Sequence, residues 1–72
     1  MIHVLDIKNK YFQDIKSGLK TFEIRRKNKN YQINDKLKFI NLETKETIEK
    51  EIIYISEGAV YNLKNIIVLG IK

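Results

Sequence analysis

Five short runs of β-branched and apolar residues share 72 positions with one amphipathic stretch, and that ratio of strand to helix decides most of what the chain can become. The runs are IHVLDI (2–7), KTFEIR (20–25), LKFINL (37–42), TIEKEIIYIS (47–56) and IIVLGI (66–71). A doubly wound parallel sheet needs a crossover helix between successive strand pairs, and a single helix cannot supply them. The pattern predicts an α+β, mostly β domain: a small, partly closed five-stranded β-barrel, mostly antiparallel, with one N-terminal helix. Closure hides the strand edges that an open sheet of this size leaves unpaired. No proline, repeat or low-complexity run marks a boundary, so residues 1–72 read as a single domain.

The helix is NKYFQDIKSG, with Asn9 as its expected N-cap, Tyr11, Phe12 and Ile15 at helical spacing, and Gly18 as its stop. Asn34-Asp35 predicts a tight turn, because asparagine tolerates the left-handed backbone region. ETKE reads as a hairpin loop and EGAVYNLKN as a loop or single turn. In TIEKEIIYIS the apolar parity switches around Glu51 and Ile52, which predicts a bulge or sharp bend. Glu49 and Glu51 would mark a charged, exposed edge that discourages pairing between copies, so the expected state is a monomer.

With no cysteine, the chain has neither a disulfide framework nor a thiol nucleophile. One histidine and scattered carboxylates give no metal-ligand spacing, three separated glycines give no phosphate-cradling loop, and no cofactor is implied. The longest apolar runs are far too short to cross a bilayer, and the N-terminus lacks the form of a signal peptide, so a cytoplasmic location is expected with no membrane partner.

The net charge of +5 points toward nucleic acid, but it needs discounting. Lys, Asn and Ile supply 32 residues, the composition of an AT-rich coding bias that inflates lysine. Arginine runs against that bias, and the only two, Arg25 and Arg26, stand side by side. Residues 16–38 hold eight basic and two acidic side chains, whereas residues 43–57 hold two basic and five acidic ones. One side of the domain should be positive.

KTFEIR alternates strictly, the period of a half-buried strand. The apolar pair Phe22 and Ile24 is expected to face the core, and Thr21, Glu23 and Arg25 to leave the other face together. One reading of that polar face is solvated charges pairing with each other. The other is a cleft in which Arg25 offers its planar fork to a phosphate or base edge while Glu23 accepts a base amino group.

SGLKTFEIRR, preceded by HVLDIKNKYFQDI and followed by YQINDKLKF, resembles the signature of the ASCH superfamily: a helix, then Gly-x-Lys-Thr-x-Glu-x-Arg, then Gly-Asp before the next strand. More closely, it is similar to a branch of small domains from bacteria and their phages, and the likeness runs from His3 to Lys72. The resemblance implies a PUA-like barrel. It places the cleft residues at Gly18, Lys20, Thr21, Glu23 and Arg25. Asn34 replaces the glycine before Asp35, and Lys27, Asn28 and Lys29 stand where the branch has Asn-Asp-Arg.

Some proteins of similar motif hydrolyse N4-acetylcytidine with a lysine, a threonine and a later glutamate. The position of their acting threonine is Glu23 here, and only Glu57 lies near the place of the glutamate. If the chain is such an enzyme, Lys20, Thr21 and Glu23 would be catalytic, Glu23 as a base for water and Lys20 at the oxyanion. A ribonuclease would draw on Lys20, Glu23, Tyr54 and His3, although a lone histidine on a strand is more often a structural hydrogen-bonder. Phe12, Phe22 and Phe39 sit at core-phase positions, whereas Tyr31, Tyr54 and Tyr61 fall near element ends where a base could stack.

The reading preferred from the sequence is recognition of RNA, or of a modified nucleoside, in a basic cleft of Lys20, Thr21, Glu23 and Arg25. Arg26, Lys27 and Lys29 would add phosphate contacts, with Tyr54 as a stacking candidate. The remaining alternative is a phage-type small protein that binds and inhibits a host protein.

Overall fold

A computed structural model describes residues 1–58 and 64–72, and in it the chain runs β1 (Ile2–Ile7), α1 (Asn9–Lys16), β2 (Phe22–Arg26), β3 (Lys36–Asn41), β4 (Thr47–Glu57) and β5 (Ile66–Ile71). The five strands make one curled sheet in the order β1-β3-β4-β5-β2, a partly closed barrel. β1 lies parallel to β3, and the other three pairs are antiparallel.

Alternation places the core. Leu5 and Ile7 of β1, Leu37 and Phe39 of β3, and Ile67, Leu69 and Ile71 of β5 point inward. Phe12 and Ile15, three apart on α1, plug the interior from the helix side. Gly18 ends the helix at φ 83°, a left-handed turn that L side chains resist, while the Ser17 and Gly18 amides close on Gln13 and Ile15.

Asn9 is not the N-cap. Lys8 occupies that position without a side-chain cap, and Asn9 is the first helical residue. Its Oδ1 instead accepts from Gln13 Nε2 (3.2 Å) and from Asn41 Nδ2 (2.8 Å). The buried Asn41 then accepts the Glu43 and Thr44 amides on its Oδ1, organising the ETKE hairpin from below. Asn34 takes φ 77°, the turn expected from the sequence.

β4 turns the corner of the barrel. Its first half pairs with β3 and its second half with β5, with a register shift between Ile52 and Tyr54. One extra residue, Ile53, is what flips the apolar parity. Beside it Gly70 faces Tyr54 so closely that a Cβ there would stand 2.9 Å from the Tyr54 Cβ, so the bulge and the glycine require each other. Glu51 does not lie on an edge, because it pairs with β3 on one side and exchanges backbone bonds with Lys72 on the other, whereas Glu49 lies in the half of β4 that pairs with β3 alone. Glu49 and Glu51 sit opposite Lys38 and Lys36, and Glu51 accepts from Lys36 Nζ at 3.0 Å. The edges are β1 and β2.

The face of β2 is the reverse of the expectation. Glu23 is 5% exposed, whereas Phe22 and Ile24 are 44% and 54% exposed. Register with β5 explains this: Glu23 stands opposite Leu69 and Arg25 opposite Ile67, both inward residues, so the polar pair is carried inside with them. Phe22, opposite Gly70, is carried outward and is not core. Of the loop reading for 57–65, residues 59–63 and with them Tyr61 lie outside the described residues. Among the described residues no helix is long and apolar enough to cross a membrane.

Candidate functional site

Between the free edges of β1 and β2 the barrel does not close by backbone pairing, and side chains span the seam instead. Arg25 Nη2 donates to the Asp6 carbonyl at 3.1 Å, and Lys29 Nζ donates to the Val4 carbonyl at 3.3 Å. These carbonyls belong to alternate residues of β1, on the side away from β3. The seam is a groove of two adjoining hollows, about 540 Å³ and about 450 Å³, that share Asp6, Ile24 and Arg25. Together they exceed the lower bound for pockets that hold small organic ligands, about 300 Å³.

The smaller hollow is built on Glu23. Its Oε1 accepts from Lys20 Nζ at 3.0 Å and its Oε2 from Arg25 Nε at 2.7 Å. Burying a carboxylate is costly unless its oxygens are both charge-paired and hydrogen-bonded, and here both are. Lys20 is fixed in turn, its ammonium 4.7 Å from the Tyr11 ring centre and 5.6 Å from that of Phe22. The cluster of two cations and one carboxylate carries a net positive charge.

The larger hollow holds Arg25, Arg26, Asn28, Lys29 and Tyr31. Tyr31 is 6% exposed and packs on His3, with ring centres 4.6 Å apart and planes at 53°. It is therefore walled in and not an open stacking surface. Behind it His3 Nε2 lies 2.8 Å from Asp35 Oδ2, which also accepts the Gln32 amide. The hydrogen bond from His3 holds the Asp35 carboxyl below its ordinary range, ahead of the opposing effect of burial. That contribution to stability is present above the unfolded carboxyl range and is lost as pH falls through the lowered value.

The sequence-derived residues separate on this geometry. Lys20, Glu23, Arg25, Arg26 and Lys29 meet in the groove. Thr21 is exposed and borders a different hollow of about 160 Å³ with Gly18, Lys50 and Ile71, and Lys20 touches both. Lys27 turns to Glu57, its Nζ 2.7 Å from each carboxylate oxygen. Tyr54, 65% exposed, stands beside Gly70 on the outer face. Sequence reasoning missed Tyr11, the Val4 and Asp6 carbonyls, and the role of Tyr31. Only Tyr11 left a signal: it stands at helical spacing with the buried Phe12 and Ile15, four residues before the latter, yet is itself exposed.

The chain belongs to the family described as a domain of unknown function, DUF3850, whose model matches residues 2–71. No curated protein matches it.

Proposed function

We propose that this DUF3850 domain recognises RNA, or a modified nucleoside of RNA, in the groove between β1 and β2. The observation that carries the reading is the buried Glu23 clamped by Lys20 and Arg25 at the floor of an open groove lined by five basic and two acidic residues. A base enters the hollow beside Tyr11 and Phe22, and phosphate oxygens meet Arg26 and Lys29 in the other. The resemblance of GLKTFEIR to the ASCH motif supports the same reading, since three of the five residues it singles out, at 20, 23 and 25, converge, while Gly18 and Thr21 border the neighbouring hollow. In this reading the domain works as a cytoplasmic monomer, and recognition rather than turnover is its task. Both Glu23 oxygens are engaged and Thr21 lies in a separate hollow, so the three residues of an amidohydrolase-like centre do not converge.

A second reading, docking to a host protein, draws on the outer face, where Ile53 and Tyr54 are exposed outside the groove. The two are separated by binding of labelled single-stranded and hairpin RNA at two salt concentrations, with chromatography of the mixtures for altered nucleosides. Binding that weakens steeply with salt is the expected result. No binding by the folded domain would sink the RNA reading, and new products would make it an enzyme.

A further inference from the structure

The larger hollow contains a polar atom that the base-and-phosphate reading does not use. Tyr31 is 94% buried by the complement of its 6% exposure, yet its hydroxyl has no hydrogen-bond partner among the described residues. Every fully buried polar side-chain atom among those residues does have a partner. Tyr31 lines the groove, and none of the described residues takes up its hydroxyl. The ring behind it is fixed by His3, itself held by Asp35, so the hydroxyl is presented by a wall and not by a loose side chain.

Arg25 and Lys29 line the same hollow as Tyr31, and both are docked on β1 carbonyls. Lys29 has no carboxylate partner among the described residues, and Asp6 is the one acid at the boundary with the other hollow. A carbonyl orients a cation without cancelling its charge. A neutral O–H donor in one hollow with a guanidinium and an ammonium is a set of donors for an oxyanion.

We infer that Tyr31 Oη, Arg25 and Lys29 form an oxyanion subsite that takes the phosphate group of the ligand, with Tyr31 donating a hydrogen bond and His3 serving as its positioning residue. The inference rests on the groove being the ligand site but not on the ligand being RNA. The phosphate can belong to a nucleic-acid strand or to a mononucleotide. Burial raises the Tyr31 phenol above its ordinary value, against the lowering influence of Arg25 and together with the nearby Glu23 carboxylate, so the group remains a donor at neutral pH.

The test follows backbone amide shifts of the full chain during titration with inorganic phosphate, adenosine and adenosine monophosphate. Phosphate is expected to shift the Lys29 and Tyr31 amides, and the monophosphate to bind about tenfold tighter than adenosine, the size of a hydrogen bond to a charged group. Tyr31→Phe keeps the ring against His3 and should remove most of that advantage while leaving adenosine affinity unchanged. Lys29→Gln, at an exposed position, should weaken phosphate binding in the same direction and guards against a folding defect in the first variant.

Equal binding of adenosine and its monophosphate, or a Tyr31→Phe variant that binds phosphate like the wild type, overturns the subsite while leaving the nucleoside reading standing. Phosphate binding without any RNA binding upholds the subsite and removes the RNA reading. A trinucleotide that outcompetes the monophosphate assigns the phosphate to a strand, and equal competition assigns it to a mononucleotide; either upholds the subsite.

Discussion

Glu23→Ala is expected to cost about 2–3 kcal/mol, a fall of more than about 10 °C in melting temperature for a domain of this size. The carboxylate is buried and holds Lys20 and Arg25 through both oxygens, so its loss leaves two half-buried cations facing each other. Their side chains are 19% and 26% exposed, so solvent relieves part of the repulsion, and the cost stays below that of breaking a fully enclosed pair. Glu23→Gln keeps the shape and one acceptor and should lie between the two. Thermal melts of the three proteins decide the matter. A Glu23→Ala variant that melts with the wild type would mean that β2 shows its polar face to solvent, since solvated positions change stability by only about 0.5 kcal/mol.

Arg25→Ala is expected to weaken single-stranded RNA binding at least about tenfold, the cost of a lost bidentate or phosphate-directed arginine. Arg25 is the one basic side chain that belongs to both hollows, and it ties Glu23 to the β1 edge. Arg25→Lys should not restore binding, because an ammonium cannot serve the Glu23 carboxylate and the Asp6 carbonyl while still offering donors to a ligand. Lys27→Ala is the matched control. It removes one positive charge, but one engaged with Glu57, and it should leave affinity close to wild type. Titration by fluorescence anisotropy, at a temperature where circular dichroism shows each variant folded, separates binding from stability. Equal losses in Arg25→Ala and Lys27→Ala would reduce the interaction to net charge and contradict a shaped site.

The strand count, the helix with its glycine stop, the Asn34 turn and the bulge in β4 were all legible, because each is written in local spacing. The parity switch near Ile52 is a one-residue event, and a bulge is one residue long. What spacing could not tell was which face of β2 turns inward. Alternation in KTFEIR defines two faces without ranking them, and the usual ranking by hydrophobicity fails here. The partner strand sets the register, and Leu69 and Ile67 bring Glu23 and Arg25 inside with them. The same long-range pairing hid the edges of the sheet. Glu51 looked like an edge charge until the fold set it between β3 and the end of β5, where Lys36 answers it.

Of the candidate site, the residues close together in sequence were found, and those brought by the fold were not. Lys20, Glu23 and Arg25 lie on one short segment, and their mutual pairing follows from strand geometry. Tyr31 looked like a stacking ring because it falls in a polar segment between strands. Only the arrival of His3 from β1 turns it into a walled-in hydroxyl. Asn9 looked like a cap because its neighbours form a helix, whereas its bond to Asn41 on β3 depends on how the helix packs.

Ligand is expected to enter the seam between β1 and β2 and not to dock on the outer face of the sheet. Backbone amide shifts during titration with a short single-stranded RNA test it most directly. Shifts concentrated at Asp6, Lys20, Glu23, Arg25, Lys29 and Tyr31, with Tyr54 and Val68 unmoved, are expected. Shifts confined to Tyr54, Ser56 and Val68 would place the contact on the opposite face and contradict the groove.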